Sequence, residues 1–340
     1  MIGFSNTLVA ALIMRRVEVL PRPLDSIGKV LIYFLTSLFA AMLFFILIKQ
    51  LGLVIRGPTK ALFIILLIAG GIGLGLSLLI GAYEHIKAEL EKSYEKLKEK
   101  VLLEKELQVA RQVQAGFLPS GNIQIEGFDV STFFKSAKEV GGDYFDVIPL
   151  KKGVGIVIAD VSGKGVPAAL VMANLHAALH VLAQDCPADE LVSRINKSIF
   201  KDTSPDLFVT FFYGVLDNST GEFKHVNAGH NPPLVVRQDG AVEKLTQGGI
   251  VLGIIPDSKF QTGSIILNSK DLLLLYTDGL TEAGLPEIEP WGEDNLADFL
   301  VRIHQKSADS ITDLILKQVE ESIKGVVQTD DIALVLLKRK

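Results

Sequence analysis

A short apolar run that ends in a carboxylate sets the terms for the rest of this chain. Gly155-Ile156-Val157-Ile158-Ala159 is wholly apolar and rich in β-branched residues, the pattern of a strand buried on both faces. It stops at Asp160, and Val161-Ser162-Gly163-Lys164-Gly165 follows, too rich in glycine for regular structure. Pro167 then opens an apolar helix over about 168–182, because in the first helical turn the missing N–H of proline costs nothing. Taken alone, Asp160 reads as the cap of a turn.

Other aspartates of the same design change that reading. Val140-Gly141-Gly142-Asp143-Tyr144-Phe145-Asp146 sets two of them three apart after a glycine pair. Leu272-Leu273-Leu274-Leu275-Tyr276-Thr277-Asp278-Gly279 puts Asp278 at the end of a second buried strand, and Asp330-Asp331 immediately precedes a third, Ile332-Ala333-Leu334-Val335-Leu336-Leu337. Clustered carboxylates repel, and some must protonate unless a cation neutralises them. Oxygen ligands without a Cys/His set favour Mg²⁺ or Mn²⁺ over Zn²⁺. Asp143, Asp160, Asp278 and Asp330 are therefore the candidate holders of two such ions, an arrangement that activates water and clamps a phosphoryl group.

The surrounding sequence gives these residues a frame. Strands are expected over 128–135, 154–159, 208–216, 222–227, 234–237, 264–267, 272–276 and 332–337, with helices over 168–182, 188–200, 293–305 and 310–323. Runs of strands with helices inserted in pairs suggest an α+β layered sandwich over 119–340 rather than a doubly wound sheet.

The N-terminal third is different. Residues 30–48 and 61–83 carry no charge, each long enough to cross about 30 Å of hydrocarbon as a helix. Lys and Arg number four before the first run, three between the runs and six over 87–105. That asymmetry predicts a two-span membrane hairpin at 30–83 with both ends in the cytoplasm, after an N-terminal cytoplasmic segment at 1–29. Residues 84–118 read as a helical linker. Leu90, Tyr94, Leu97 and Val101 step as a coiled-coil seam, and Leu103, Leu107, Ala110, Gln114 and Phe117 form a second seam out of phase with the first. A homodimer joined through this linker, its register able to change, is the expectation.

Composition narrows the function classes. A net charge of −5 and the absence of an arginine-rich stripe give no reason to expect nucleic acid. A single cysteine, Cys186, excludes an internal disulfide and lacks any neighbouring motif that would activate it.

With those residues in view, a resemblance emerges. VGGDYFD, ADVSGKGVPAAL, NAGHNPP, YTDGLTEA and TDDIALVLL, in this order, resemble the metal-dependent protein phosphatases of the 2C type in their bacterial SpoIIE/RsbU branch. Ala110-Arg111-Gln112-Val113-Gln114-Ala115-Gly116-Phe117-Leu118-Pro119 matches the helix that commonly enters this domain, so the likeness covers about 109–340. The resemblance implies a ββ sandwich flanked by helices, two Mn²⁺ or Mg²⁺ ions at one edge, and hydrolysis of phosphoserine or phosphothreonine on a protein by a metal-bound hydroxide. It implies that Asp160 bridges the metals, that the Val161 carbonyl is a further ligand, and that Asp143, Asp278 and Asp330 complete the set. It implies as substrate a phosphorylated STAS-domain anti-anti-sigma protein. Ser162 stands where many eukaryotic relatives carry a candidate general-acid histidine, and Lys138 stands where an arginine frequently precedes VGGD; a lysine there is a point charge without a bidentate fork.

Other motifs read more plainly. Ser162-Gly163-Lys164-Gly165 lacks the upstream glycine and following Ser/Thr of a nucleotide phosphate loop. His176 and His180 lack a carboxylate at HExxH spacing and read as core or surface histidines, His230 as a structural lock, and Trp291 as a packing anchor. The expected protein is a phosphatase anchored in the cytoplasmic membrane; the competing reading is a catalytically silent membrane scaffold with a phosphatase-like domain.

Overall fold

In the computed structural model, Leu272-Leu273-Leu274-Leu275-Tyr276 forms a strand without an exposed side chain, and its two faces enter different cores. A strand buried on both sides requires apolar residues at every position, which is why this stretch does not alternate. The structure describes residues 22–50, 59–119, 123–204, 206–283, 292–322, 328 and 330–340. It divides into two units, Met1–Leu103 and Glu104–Lys340.

Among the described residues two helices come first, α1 (Arg22–Gln50) and α2 (Thr59–Ala115). Then follow β1 (Phe128–Lys135), β2 (Tyr144–Pro149), β3 (Val154–Val161), α3 (Val166–Leu182), α4 (Ala188–Asp202), β4 (Val209–Leu216), β5 (Glu222–Ala228), β6 (Leu234–Val236), β7 (Val242–Lys244), β8 (Gly248–Gly249), β9 (Gly263–Ile266), β10 (Leu272–Tyr276), α5 (Asp278–Thr281), α6 (Glu293–Ile303), α7 (Ala308–Ser322) and β11 (Ile332–Arg339). The described strands form a five-stranded sheet ordered β1-β11-β10-β6-β7 and a six-stranded sheet ordered β2-β3-β4-β5-β8, with β9 pairing β5.

The second unit is built in four layers. Ile156 and Ile158 of β3 meet Leu273 and Leu275 of β10 and Val335 of β11 between the sheets. The other face of β3, through Val157, Ala159 and Val161, packs on Met172 and Leu175 of α3 and on Leu191 and Ile195 of α4. The other face of β10, through Leu272, Leu274 and Tyr276, packs on Leu296 of α6 and Ile311 of α7. Truncating any of these buried leucines to alanine costs about 2–5 kcal/mol. The expected α+β layered sandwich flanked by helices is thus the observed one. Strands β2, β7 and β8 and the short α5 were not anticipated, and α3 begins at Val166, capped by Gly165 in a positive-φ conformation with Pro167 in its first turn.

The N-terminal expectations fare differently. Among the described residues no helix is long and apolar enough to cross a membrane, so the structure does not carry the two-span hairpin at 30–83. Residues 1–21, most of the segment read as cytoplasmic, and 51–58, most of the expected external loop, lie outside the described residues, as does Trp291. The second seam is corrected at its end. Gln114 is buried and Phe117 half-buried against the rest of the second unit, where Gln114 Nε2 donates to the Gly141 carbonyl at 2.7 Å and Gly141 N–H donates back to Oε1 at 3.1 Å. These positions serve the domain and not a coiled-coil partner. Leu90, Tyr94 and Leu97 of the first seam stand exposed.

Candidate active site

The acidic residues converge because strand pairing leaves them at one end of the sandwich. Tyr144 of β2 pairs with Ala159 of β3, so Asp143, just before β2, lies beside Asp160 near the end of β3. Tyr276 of β10 pairs with Leu334 of β11, which sets Asp278, just after β10, against Asp330-Asp331, just before β11. Thr277 stitches that edge: its N–H donates to the Ala333 carbonyl at 3.1 Å, and its hydroxyl accepts from Ala333 N–H at 2.9 Å. The two pairs face each other, with Asp160 feeling the charge of Asp330 and Asp278 that of Asp160. Asp160, Asp330 and Asp331 line a cleft with Lys138, Gly141 and Lys164.

Glycines are what let the backbone into this space. A β-carbon on Gly141 would stand 1.7 Å from Asp331 Oδ2, and one on Gly142 2.7 Å from the Val161 carbonyl oxygen. The Val161 carbonyl, implied as a ligand by the resemblance, therefore sits against the loop that carries Asp143. Gly163, with φ +89°, turns the chain between β3 and α3 in a conformation that other residues rarely adopt.

The electrostatics are those of a site built for positive charge. Asp143 is 2% exposed and its Oδ2 has no hydrogen-bond partner, an orphaned acceptor of the kind that burial alone makes costly. Burial and the neighbouring Asp160 push its carboxyl well above the usual carboxylate value. Burial also raises Asp160, and burial with Asp160 and Asp330 pushes Asp278 up to about 6. A buried acceptor without a donor, among carboxylates that resist ionising together, fits a pair of oxygen-seeking divalent ions.

A pH prediction follows for the protein in EDTA. Between about pH 4, where an unfolded aspartate titrates, and about pH 6, the folded chain binds more protons at Asp278 than the unfolded chain does. Stability from this group is therefore present below that window and falls as pH rises through it. Asp278→Asn should melt higher than the unaltered protein at pH 7 in EDTA, and the difference should vanish near pH 4. Thermal melts across that range check it; a difference independent of pH would show that Asp278 titrates normally.

The remaining expected residues divide by role. Lys164 Nζ donates to Asp330 Oδ2 at 2.7 Å across the cleft, and Lys138 lines the same cleft with an exposed side chain. Asp331 is the structural member of its pair: Oδ1 accepts from Ala137 N–H at 2.8 Å and from the Ser136 hydroxyl at 3.0 Å. Ser162 exchanges two hydrogen bonds with Phe208, its hydroxyl accepting from Phe208 N–H at 2.8 Å, which leaves it holding the loop. His230 is buried with its Nδ1 2.8 Å from the Thr210 hydroxyl and Nε2 3.2 Å from the Tyr276 carbonyl. The carbonyl only accepts, so Nε2 carries the proton, and burial holds the ring neutral with its pKa lowered to about 4. That is a lock between β4 and β10, not an acid. The Lys164–Asp330 contact was missed because nothing in their spacing, 166 residues, announces it.

Residues 151–340 match the family described as Stage II sporulation protein E (SpoIIE). The chain belongs to the SpoIIE family. Its SpoIIE domain resembles the SiaA-PP2C domain of Pseudomonas aeruginosa with a TM-score of 0.63 at 18% identity, covering 71% of this chain and 98% of that one, which makes its fold PP2C-like. In sequence the chain is 29% identical to Protein IcfG of Synechocystis sp. over 69% of this chain and 41% of the relative. It is 28% identical to the phosphoserine phosphatase RsbU of Bacillus subtilis over 70% of this chain and 71% of the relative. The chain thus spans less than half the length of IcfG, and its SpoIIE domain is the part read for chemistry below.

Proposed function

We propose that this chain is a metal-dependent protein phosphatase that hydrolyses phosphoserine or phosphothreonine on a protein. One observation carries the reading: in a SpoIIE-family domain, Asp143, Asp160, Asp278 and Asp330, from separate strand ends, feel one another's charge beside a cleft that Asp160 and Asp330 line, and Asp143 carries a buried, unpartnered carboxylate oxygen. Asp143, Asp160, Asp278 and Asp330, with the Val161 carbonyl, would hold two Mn²⁺ or Mg²⁺ ions. Those ions, when bound, supply Lewis acidity toward the phosphoryl oxygens and a water made nucleophilic near neutral pH. The chain's own part is to hold the carboxylates in fixed positions, through the Thr277–Ala333 and Gln114–Gly141 hydrogen bonds, and to offer Lys164 and Lys138 as positive charges at the mouth. The cleft is lined by glycine, lysine and carboxylate with only Ala137 and Val140 as apolar side chains, which suits a phosphoryl group presented by a protein better than a small ester needing enclosure.

A phosphorylated STAS-domain protein is the substrate favoured by the resemblance, and the name of RsbU, a phosphoserine phosphatase, supports the phosphoserine class. With Mn²⁺ present, the full chain should release phosphate from such a protein. A chain that binds Mn²⁺ yet releases none would leave the scaffold reading, and one that binds no divalent ion would remove the enzymatic one.

Association of the chain with the cytoplasmic membrane, without a claim that 30–83 spans it, and dimerisation through 84–118 belong to the same proposal. They are supported by the two charge-free runs and by exposed Leu31, Phe39, Met42, Leu67, Leu79, Leu90 and Tyr94. Recovery of the chain in the soluble fraction as a monomer would sink both.

A further inference from the structure

A second cluster of ligating side chains lies on α3 and β2, built from donors of another kind. His176 and His180 are four apart on α3, so their rings leave the same helix face, 4.4 Å between centroids. The carboxylate that their own helix lacks comes from β2. Asp146 Oδ2 lies 2.8 Å from His180 Nε2 and 3.9 Å from His176 Nδ1, and the three atoms all fall within 4.8 Å of one another. Four-coordinate zinc, with bonds of about 2.0–2.1 Å, spaces its donor atoms about 3.3 Å apart, so rotation of the side chains by about an ångström converts this cluster, whose donors lie within 4.8 Å of one another, into a binding triangle.

What surrounds the triangle is also organised. Asp146 is buried, and its second oxygen accepts from Val147 N–H at 2.7 Å, which fixes the carboxylate plane. The Tyr144 hydroxyl, fully buried, sits 2.7 Å from Asp146 Oδ2 and 3.0 Å from His176 Nδ1. Phe117 stacks on the His176 ring, 5.0 Å between centroids. Burial and the neighbouring His180 lower the pKa of His176, which keeps that imidazole neutral at neutral pH. His180 is nearly half exposed, leaving an entry path and room for a water as fourth ligand.

We infer that Asp146, His176 and His180 form a binding site for one borderline divalent ion of the Zn²⁺ class, separate from the aspartate cleft. Two imidazoles and one carboxylate with an open position favour zinc-like ions, whereas the cleft offers oxygen donors alone. Binding exchanges the Asp146–His180 and Tyr144–His176 hydrogen bonds for two metal–nitrogen bonds and one metal–oxygen bond, with any displaced imidazole proton passing to solvent and the Tyr144 hydroxyl keeping its bond to Asp146. The bound ion ties α3 to β2.

The inference stands apart from the phosphatase reading and is tested apart from it. Zn²⁺ is titrated calorimetrically into the full chain with Mg²⁺ saturating the oxygen sites. One Zn²⁺ should bind; the double variant His176→Ala/His180→Ala should lose it, and Asp160→Asn should retain it. A Zn²⁺ stoichiometry unchanged in the double variant, or lost in Asp160→Asn instead, overturns the site. Should the alanine variant fail to fold, Co²⁺ added to the unaltered chain decides: the visible ligand-field absorption of a four-coordinate nitrogen–oxygen site is required, and its absence overturns the proposal.

Discussion

Asp160→Asn and Asp278→Asn should each lower phosphatase turnover by at least about 10³-fold while the chain stays folded. The two residues end different strands in different sheets, so a shared loss cannot come from one damaged element. Asparagine keeps the volume and removes the charge, and charge is what these positions contribute. Each lost carboxylate weakens the hold on cations whose work on a phosphoryl group is worth several kcal/mol, and every 1.36 kcal/mol is tenfold in rate. Stability should move in the opposite direction when divalent ions are removed. Asp160 and Asp278 repel each other and Asp330 in the folded chain, so neutralising either relieves strain that only a cation otherwise offsets. Phosphate release in Mn²⁺, paired with melting temperatures in EDTA, measures both halves. Turnover retained in both variants would refute the assignment of these aspartates, and turnover lost together with a fall in melting temperature would reduce them to structural residues.

The sequence showed the parts of this molecule whose environment is uniform along the chain. β3 and β10 are apolar at every position because both of their faces are covered, and a carboxylate at the end of such a run is conspicuous. β2 was not visible: Tyr144-Phe145-Asp146-Val147-Ile148-Pro149 carries an aspartate and a proline, and the aspartate is there for the histidines of α3 and the hydroxyl of Tyr144. The same blindness explains the reading of His176 and His180 as isolated. Their carboxylate partner lies 34 residues from His180 on a different element, and no helical spacing encodes a contact between a helix and a strand. At the end of α2 the apolar rhythm was real but its partner was misjudged. Gln114 and Phe117 keep the step of a seam while bonding Gly141 and stacking on His176, and a helix laid on its own domain shows the same period as one laid on a second helix.

Gly279→Ala should be as harmful as losing a ligand, though it removes no charge. A β-carbon there would stand 1.8 Å from the backbone carbonyl oxygen of Asp331, and the backbone at that point is held by the Thr277–Ala333 hydrogen bonds. The contact has no flexible end to swing away, so β10 and β11 must part at the edge that carries Asp278 and Asp330. Overpacking of this kind costs about 3 kcal/mol, or about 10 °C of melting temperature for a domain of this size. Displacing Asp278 by about 1 Å should reduce turnover roughly 10²-fold in addition. Gly141→Ala supplies the contrast. Its β-carbon meets the Asp331 carboxylate, which can rotate by giving up its bonds to Ser136 and Ala137, so the loss of stability should be smaller. Thermal melts and Mn²⁺-dependent turnover of the two variants give the ranking. If Gly279→Ala were the milder of the two, the close approach of these strand ends would be wrong, and with it the geometry that brings Asp278 to the other carboxylates.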